Sequence, residues 1–158
     1  MILITGGLGF IGSNFISKYI KSGNYIINID SQTYASINPS LLKFESYSNY
    51  KYIDADINDL TIIDKIIKEY AFDKIIHFAA ESHVDNSIGN PSLFAKTNIL
   101  GTLNLLESYK NLDKNDKFFI HVSTDEVYGS IEEGKFDENS PYKPNSPYSA
   151  SKASSDHF

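Results

Sequence analysis

Short apolar runs recur along the chain at residues 2–5, 25–30, 50–54, 74–78 and 118–123, and the stretches between them repeat their apolar positions at helical spacing. Runs of this length, rich in isoleucine and bounded by polar or glycine residues, read as strands buried on both faces. Residues 10–21, 59–70 and 91–110 read as the intervening helices. The last is opened by Asn90-Pro91, a capping side chain followed by proline at the first helical position. Alternation of this kind predicts an α/β fold, a doubly wound parallel sheet of the Rossmann type with about five strands. Residues 31–49 carry no assignment. From Gly129 to Pro147 the prolines at 141, 144 and 147 and Gly134 break any period, so a loop is expected there. Ser146-Pro147 then starts a further helix that holds Tyr148 and Lys152. The organisation expected is a dinucleotide-binding domain over residues 1–145 and the start of a Tyr/Lys helix over residues 146–158.

Composition narrows the function classes. The chain has 158 residues, no cysteine and a formal net charge of -6. A negative chain without a clustered basic stripe argues against nucleic-acid binding. All 14 cationic side chains are lysines, so the rigid guanidinium forks that often clamp a diphosphate are missing. No apolar stretch approaches the roughly 20 residues needed to span a bilayer, and the start of the chain lacks a basic leader region. A cytoplasmic location with no membrane partner is the expectation, and the absence of thiols fits a reducing compartment. His77 and His121 sit inside strands and are expected to be core histidines, and no histidine pair has ligand spacing, so no metal is assigned.

Three groups of residues carry candidate chemistry. Gly6, Gly9 and Gly12 stand at a three-residue spacing between a strand and a helix, where backbone can approach a pyrophosphate at the helix N-terminus. Asp30 ends the second strand and is placed to hydrogen-bond an adenosine ribose, which favours NAD over its 2′-phosphorylated form. Asp56-Ile57 after the third strand either flanks an adenine or caps the strand end. Ala79 and Ala80 after the fourth are small enough for a flat cofactor to lie against backbone, or simply pack tightly. Finally, Asp125-Glu126 follows the fifth strand, and Tyr148 and Lys152 are one helical turn apart. Adjacent carboxylates suit a reaction that removes one proton and donates another. A lysine ammonium facing the same way as the tyrosine is expected to lower its pKa and make it a usable base.

These segments together resemble the extended short-chain dehydrogenase/reductase family, and within it the nucleotide-sugar 4,6-dehydratases. The matching stretches are Ile4 to Phe15, His77 to Asp85, Thr97 to Thr102, His121 to Gly129 and Ser146 to Ala153. The Thr124-Asp125-Glu126 triplet is the selective part, because related epimerases eliminate no water. The resemblance implies NAD as a bound cofactor, contacted by Phe10, Ile11, Asp30, Thr33, Asp56, Ile57, Ala79, Ala80, Thr97, Tyr148 and Lys152. It also implies a nucleotide-sugar substrate touched by Ser82 and Thr124, with Tyr148, Asp125 and Glu126 performing the proton transfers and Lys152 holding the cofactor ribose. Ser31, Ser36 and Asn86 depart from the family's usual residues, which implies weaker cofactor affinity. Members of the family are longer chains, so the resemblance implies an amino-terminal portion without the second, substrate domain. It further implies that the complete protein forms a homodimer through the helices around residues 91–110 and Tyr148. Two alternatives stand beside this: a cofactor-binding module without turnover, and a UDP-glucose dehydratase or UDP-sugar 4-epimerase. The nucleobase is not legible.

Overall fold

A computed structural model describes residues 1–70, 72–112 and 115–158. The described residues group into two compact units, the first made of residues 1–79 and 104–122 and the second of residues 80–103 and 123–158.

The first unit is the sheet. Strands β1 (Ile2–Thr5), β2 (Ile26–Asp30), β3 (Tyr50–Asp54), β4 (Lys74–His77) and β5 (Phe118–His121) pair in the order β3-β2-β1-β4-β5, every pair parallel. Register is fixed by side chains alternating between two cores. Leu3, Ile27, Ile29 and Ile75 face one of them, packed with Ile63, Ile67 and Phe72, while Ile2, Ile4, Ile26 and Ile76 face the other with Ile16, Ile20 and Phe44. A slip of one residue would exchange these sets, and both are apolar only because both faces are covered. Strands β4 and β5 end one and two residues earlier than their apolar runs. Phe78 N–H still donates to the Thr5 carbonyl at 2.9 Å and Val122 N–H to the His77 carbonyl at 3.2 Å, so the ladder continues for one more step.

Helix α1 (Phe10–Tyr19) is followed by a 3-10 turn at Ile20–Ser22, and Gly23 at φ 83° ends it in the left-handed region. A short helix α2 (Pro39–Leu42) lies in the unassigned stretch, capped by the Asn38 side chain. Helix α3 (Leu60–Tyr70) has Ile62 N–H bonded to the Asp59 carboxylate at 3.1 Å, which stops fraying at its start. The two edges of the sheet differ. β3 shows Lys51 and Asp54 to solvent, whereas β5 shows Phe118, 55% exposed, and Ile120, 39% exposed.

The second unit is helical. The segment expected as one helix over residues 91–110 is helical without a break, but α5 (Pro91–Phe94) and α6 (Gly101–Lys110) are joined by a π-helical stretch at Ala95–Leu100, and the later residues of α6 belong to the first unit. A preceding helix α4 (Val84–Gly89) was not expected, since Asp85, Asn86 and Gly89 are poor helix formers. Helix α7 (Pro147–Asp156) begins where Ser146-Pro147 predicts, with Ser146 and Ser149 capping each other reciprocally. Among the described residues no helix is long and apolar enough to cross a membrane.

Candidate functional site

In the first unit, the turn between β1 and α1 is set by glycines of different kinds. Gly6 has φ 71°, and a Cβ there would stand 2.5 Å from the Ala79 nitrogen, so both conformation and close approach demand glycine. A Cβ at Gly12 would meet the Gly6 carbonyl at 2.3 Å, which is what lets α1 sit directly on the turn. Gly9 is roomier, since its Cβ would find only the Gly6 carbonyl at 3.3 Å. Gly9 caps α1 without a side-chain hydrogen bond, and the first turn of α1 carries no acidic residue. A helix start so bare of its own anion, with smooth backbone beside it, suits an incoming diphosphate. Phe10 and Ile11, the first two helical residues, are exposed.

Asp30 closes the far side of this turn. Its Oδ2 accepts the Leu8 N–H at 2.9 Å, and its Oδ1 accepts the Gln32 N–H and the Ser36 hydroxyl, each at 2.9 Å. The carboxylate is therefore fixed in direction, with little acceptor capacity left for a ribose unless Ser36 turns away. Asn28 supports the same turn, accepting from Gly7 N–H at 3.0 Å while donating to the Tyr50 hydroxyl at 3.0 Å. Thr33 is exposed, and its hydroxyl accepts the Ala35 N–H at 3.4 Å. Asp56 caps its own turn through the Asn58 N–H at 2.9 Å, and the Ile57 side chain is in the core, so from that pair only Asp56 and backbone face outward. Ala79 donates to the Thr5 hydroxyl at 3.4 Å. His77 and His121 stack across β4 and β5 with ring centroids 5.2 Å apart, and Thr5 Oγ1 lies 2.6 Å from His77 Nδ1.

The second unit gathers the reactive side chains. Thr124 caps a 3-10 turn formed by Asp125–Tyr128, its hydroxyl accepting the Glu126 N–H at 3.2 Å. Asp125 is exposed and Glu126 half-buried. Tyr148, 9% exposed, hydrogen-bonds Thr124, and both carboxylates are near enough to act on its charge. Burial holds the Tyr148 phenol above its ordinary value; the Thr124 hydrogen bond opposes this, and Glu126, Asp125 and Asp156 add to the rise. Lys152 is 2% exposed, and burial pushes its amine down to about 8, against the pull of Asp156. The lowering of Tyr148 expected from its lysine neighbour is thus not the net result. Desolvation of the phenol is the largest influence on it, and the amine expected to help is itself desolvated. Ser82 and Thr97 lie on the same unit, Ser82 exposed and Thr97 half-buried.

Asn98 was missed by sequence reasoning. Its buried amide accepts the Glu81 N–H at 2.8 Å and donates to the Glu81 carbonyl at 2.9 Å and to Ser151 Oγ at 2.8 Å. Ser151 in turn donates to the Tyr148 carbonyl at 2.7 Å, so the loop at Glu81 and helix α7 hold each other through one amide. The π-helical turn leaves the Asn98 carbonyl to the Thr102 hydroxyl, at 2.6 Å. Helical periodicity at 3.6 residues gives no sign of this, because the wider turn changes which positions face inward.

Several known proteins are similar to this chain. A dTDP-glucose 4,6-dehydratase of Xanthomonas campestris pv. campestris (strain B100) is 47% identical over 99% of the chain and 47% of its own length. The dTDP-glucose 4,6-dehydratase DesIV of Streptomyces venezuelae, solved with NAD and TYD bound, superposes with a TM-score of 0.89 at 42% identity, covering 99% of this chain and 49% of that one. The UDP-Glc/GlcNAc 4-epimerase of Campylobacter jejuni has the same TM-score, 0.89, at 30% identity, covering 99% of this chain and 46% of that one. The chain spans about half the length of the curated relatives it matches. Residues 3–158 match the family described as GDP-mannose 4,6 dehydratase, and it is to this family that the chain belongs.

Proposed function

We propose that the chain carries the NAD-binding residues and the proton-transfer residues of a dTDP-glucose 4,6-dehydratase. The observation that carries this reading is the grouping of Tyr148, Thr124, Asp125 and Glu126 in the second unit, because a dehydratase needs both a base for a hydroxyl and an acid/base pair for elimination. The 47% identity to a dTDP-glucose 4,6-dehydratase supports it.

Gly6, Gly9, Gly12, Phe10 and Ile11 would hold the diphosphate of NAD at the start of α1. Asp30 and Thr33 would hold the adenosine ribose, and Asp56, Ile57, Ala79, Ala80 and Thr97 would line the remainder. NAD, when bound, supplies the acceptor and later the donor of hydride. Tyr148 takes the proton of the sugar 4-hydroxyl, while Thr124 donates a hydrogen bond to the oxygen as it becomes a ketone. That ketone acidifies the neighbouring C5 proton, which Glu126 removes. Asp125 gives its proton to the departing 6-hydroxyl, which leaves as water. Lys152 supplies positive charge on the Tyr148 side of the helix, and Ser82 orients the sugar. With hydride returned to C6 by the reduced cofactor and a proton returned to C5, the product would be a 4-keto-6-deoxy sugar nucleotide.

Glu126→Gln tests the assignment. The variant is expected to transfer hydride from the 4-position but release no 4-keto-6-deoxy product, and a normal rate of product formation removes Glu126 from its role. A second reading, a cofactor-binding module without turnover, is favoured by the burial that raises the Tyr148 phenol and lowers the Lys152 amine, neither of which readies the pair for base chemistry. Calorimetry separates the two: NAD binding with no dTDP-glucose binding supports the module. A 4-epimerase reading has the 30% identical neighbour behind it but leaves Asp125 and Glu126 without a task. A homodimer through the helices around residues 91–110 and α7 is part of the same proposal, and a monomeric mass in light scattering rejects it.

A further inference from the structure

Tyr148, Lys152 and Asp156 follow one another at four-residue spacing on α7, so they form one stripe along the helix. The stripe runs from buried to half-buried, with Asp156 at its outer end. Its carboxylate is tethered from two other pieces of chain. Oδ2 accepts the Ser123 hydroxyl at 2.6 Å and the Tyr142 hydroxyl at 3.2 Å. Ser123 immediately precedes Thr124, Asp125 and Glu126, so this carboxylate joins the helix of Tyr148 and Lys152 to the entry of the acid-bearing turn.

We propose that Asp156 is a positioning residue of this reactive group: it fixes the Ser123–Thr124 entry against α7 and serves as the counter-charge of Lys152. The inference rests on the reading of Tyr148 and Lys152 as the reactive pair. A buried amine keeps its proton only if an anion is near it, and an aspartate one turn further along the same stripe is within reach of that task. Two hydroxyl donors stabilise the ionised form of Asp156 and prevent it from swinging into solvent. The effect is visible on a donor as well: Tyr142 is held above the ordinary phenol range by burial and then by Asp156. An ammonium on Lys152 eases ionisation of Tyr148, whereas a neutral amine does not, so Asp156, whose own charge raises the phenol directly, acts in the opposite sense through the lysine.

Other ionisable groups on the elements packed against α7 are Asp85 on α4, Lys96 on the π-helical turn, and Asp125, Glu126 and Tyr128 on the 3-10 turn. They stay in place in both variants used as the test. The chain is labelled with 15N-lysine, and the Lys152 side-chain signal is followed from pH 6 to 11. Asp156→Asn keeps the shape and a hydrogen-bond acceptor but removes the charge. It is expected to lower the Lys152 midpoint by about 0.5–1 pH unit, with the Thr124 to Glu126 amide signals shifting only slightly. The pair Ser123→Ala with Tyr142→Phe keeps the charge but frees the carboxylate. It is expected to lower the midpoint by less and to move those amide signals more. An unchanged Lys152 midpoint in a folded Asp156→Asn chain overturns the proposal. Should that variant not fold, an unchanged midpoint and unchanged amide signals in the double variant overturn it equally. Failure of the dehydratase reading shows separately, as absence of product with these midpoints moving as stated.

Discussion

Lys152 is held almost wholly out of water, and replacing it with methionine has a consequence that depends on pH. Taking an amine from its ordinary 10.5 to about 8 means that the folded chain carries the charged form at a disadvantage of about 3 kcal/mol. Below about pH 8 both the folded and the unfolded chain hold the proton, and the full penalty is present. Between about 8 and 10.5 the unfolded chain still binds the proton while the folded chain has released it, so stability rises with pH. Above that range both are neutral and the penalty is gone. Lys152→Met lacks this rise, since methionine fills similar space without titrating. The change in packing around the new side chain offsets the variant by an amount that does not vary over this range. Tyr50 and Tyr52, both pushed up to about 12 chiefly by burial, lower stability as pH climbs above 10, but they are common to both proteins and cancel. Urea unfolding followed by far-ultraviolet circular dichroism at pH 7, 8, 9, 10 and 10.5 measures the difference directly. The unmodified chain is expected to gain about 3 kcal/mol on the variant between the two ends of that series. A difference constant to within about 0.5 kcal/mol would refute the burial argument, because it would mean that the Lys152 amine titrates alike in both states.

Other expectations follow from the turn and the sheet. Gly12→Ala drives a methyl into the Gly6 carbonyl and should lower stability by about 2 kcal/mol or more, read as a fall in urea midpoint, whereas Gly9→Ala should cost under about 1 kcal/mol yet weaken NAD binding at least tenfold in calorimetry. Ser36→Ala removes one of the two donors on Asp30 Oδ1, and NAD affinity is expected to rise about 3–10-fold; unchanged affinity would show that the serine does not compete with the ribose. Phe72→Ala opens a cavity in the core formed with Ile63 and Ile67 and should lower stability by about 3–5 kcal/mol, with NAD affinity of the remaining folded fraction intact.

Much of the sheet could be read from the chain because its central strands β1, β2 and β4 are apolar runs buried on both faces. Leu3 and Ile4 point opposite ways and both find a core. The glycine turn and the Ser146-Pro147 start were legible for a similar reason: backbone geometry admits few residues there. Helix 91–110 was legible in extent but not in kind. Its π-helical turn carries Asn98, whose side-chain partners, Glu81 and Ser151, are distant in sequence. Asp156 escaped for a different reason, since its spacing from Lys152 was in plain view but Ser123 and Tyr142, which give the carboxylate a fixed place, were not. The protonation of Tyr148 also lay outside reach, because spacing names the neighbours of a phenol and says nothing of how much water they displace.

The two edges of the sheet would meet an arriving strand differently. β3 is guarded by charge, and a strand approaching it must strip water from Lys51 and Asp54. β5 offers an arriving strand no such obstacle, and its Phe118 and Ile120 reward contact. A lysine at position 120 would give that edge the guard that β3 already carries.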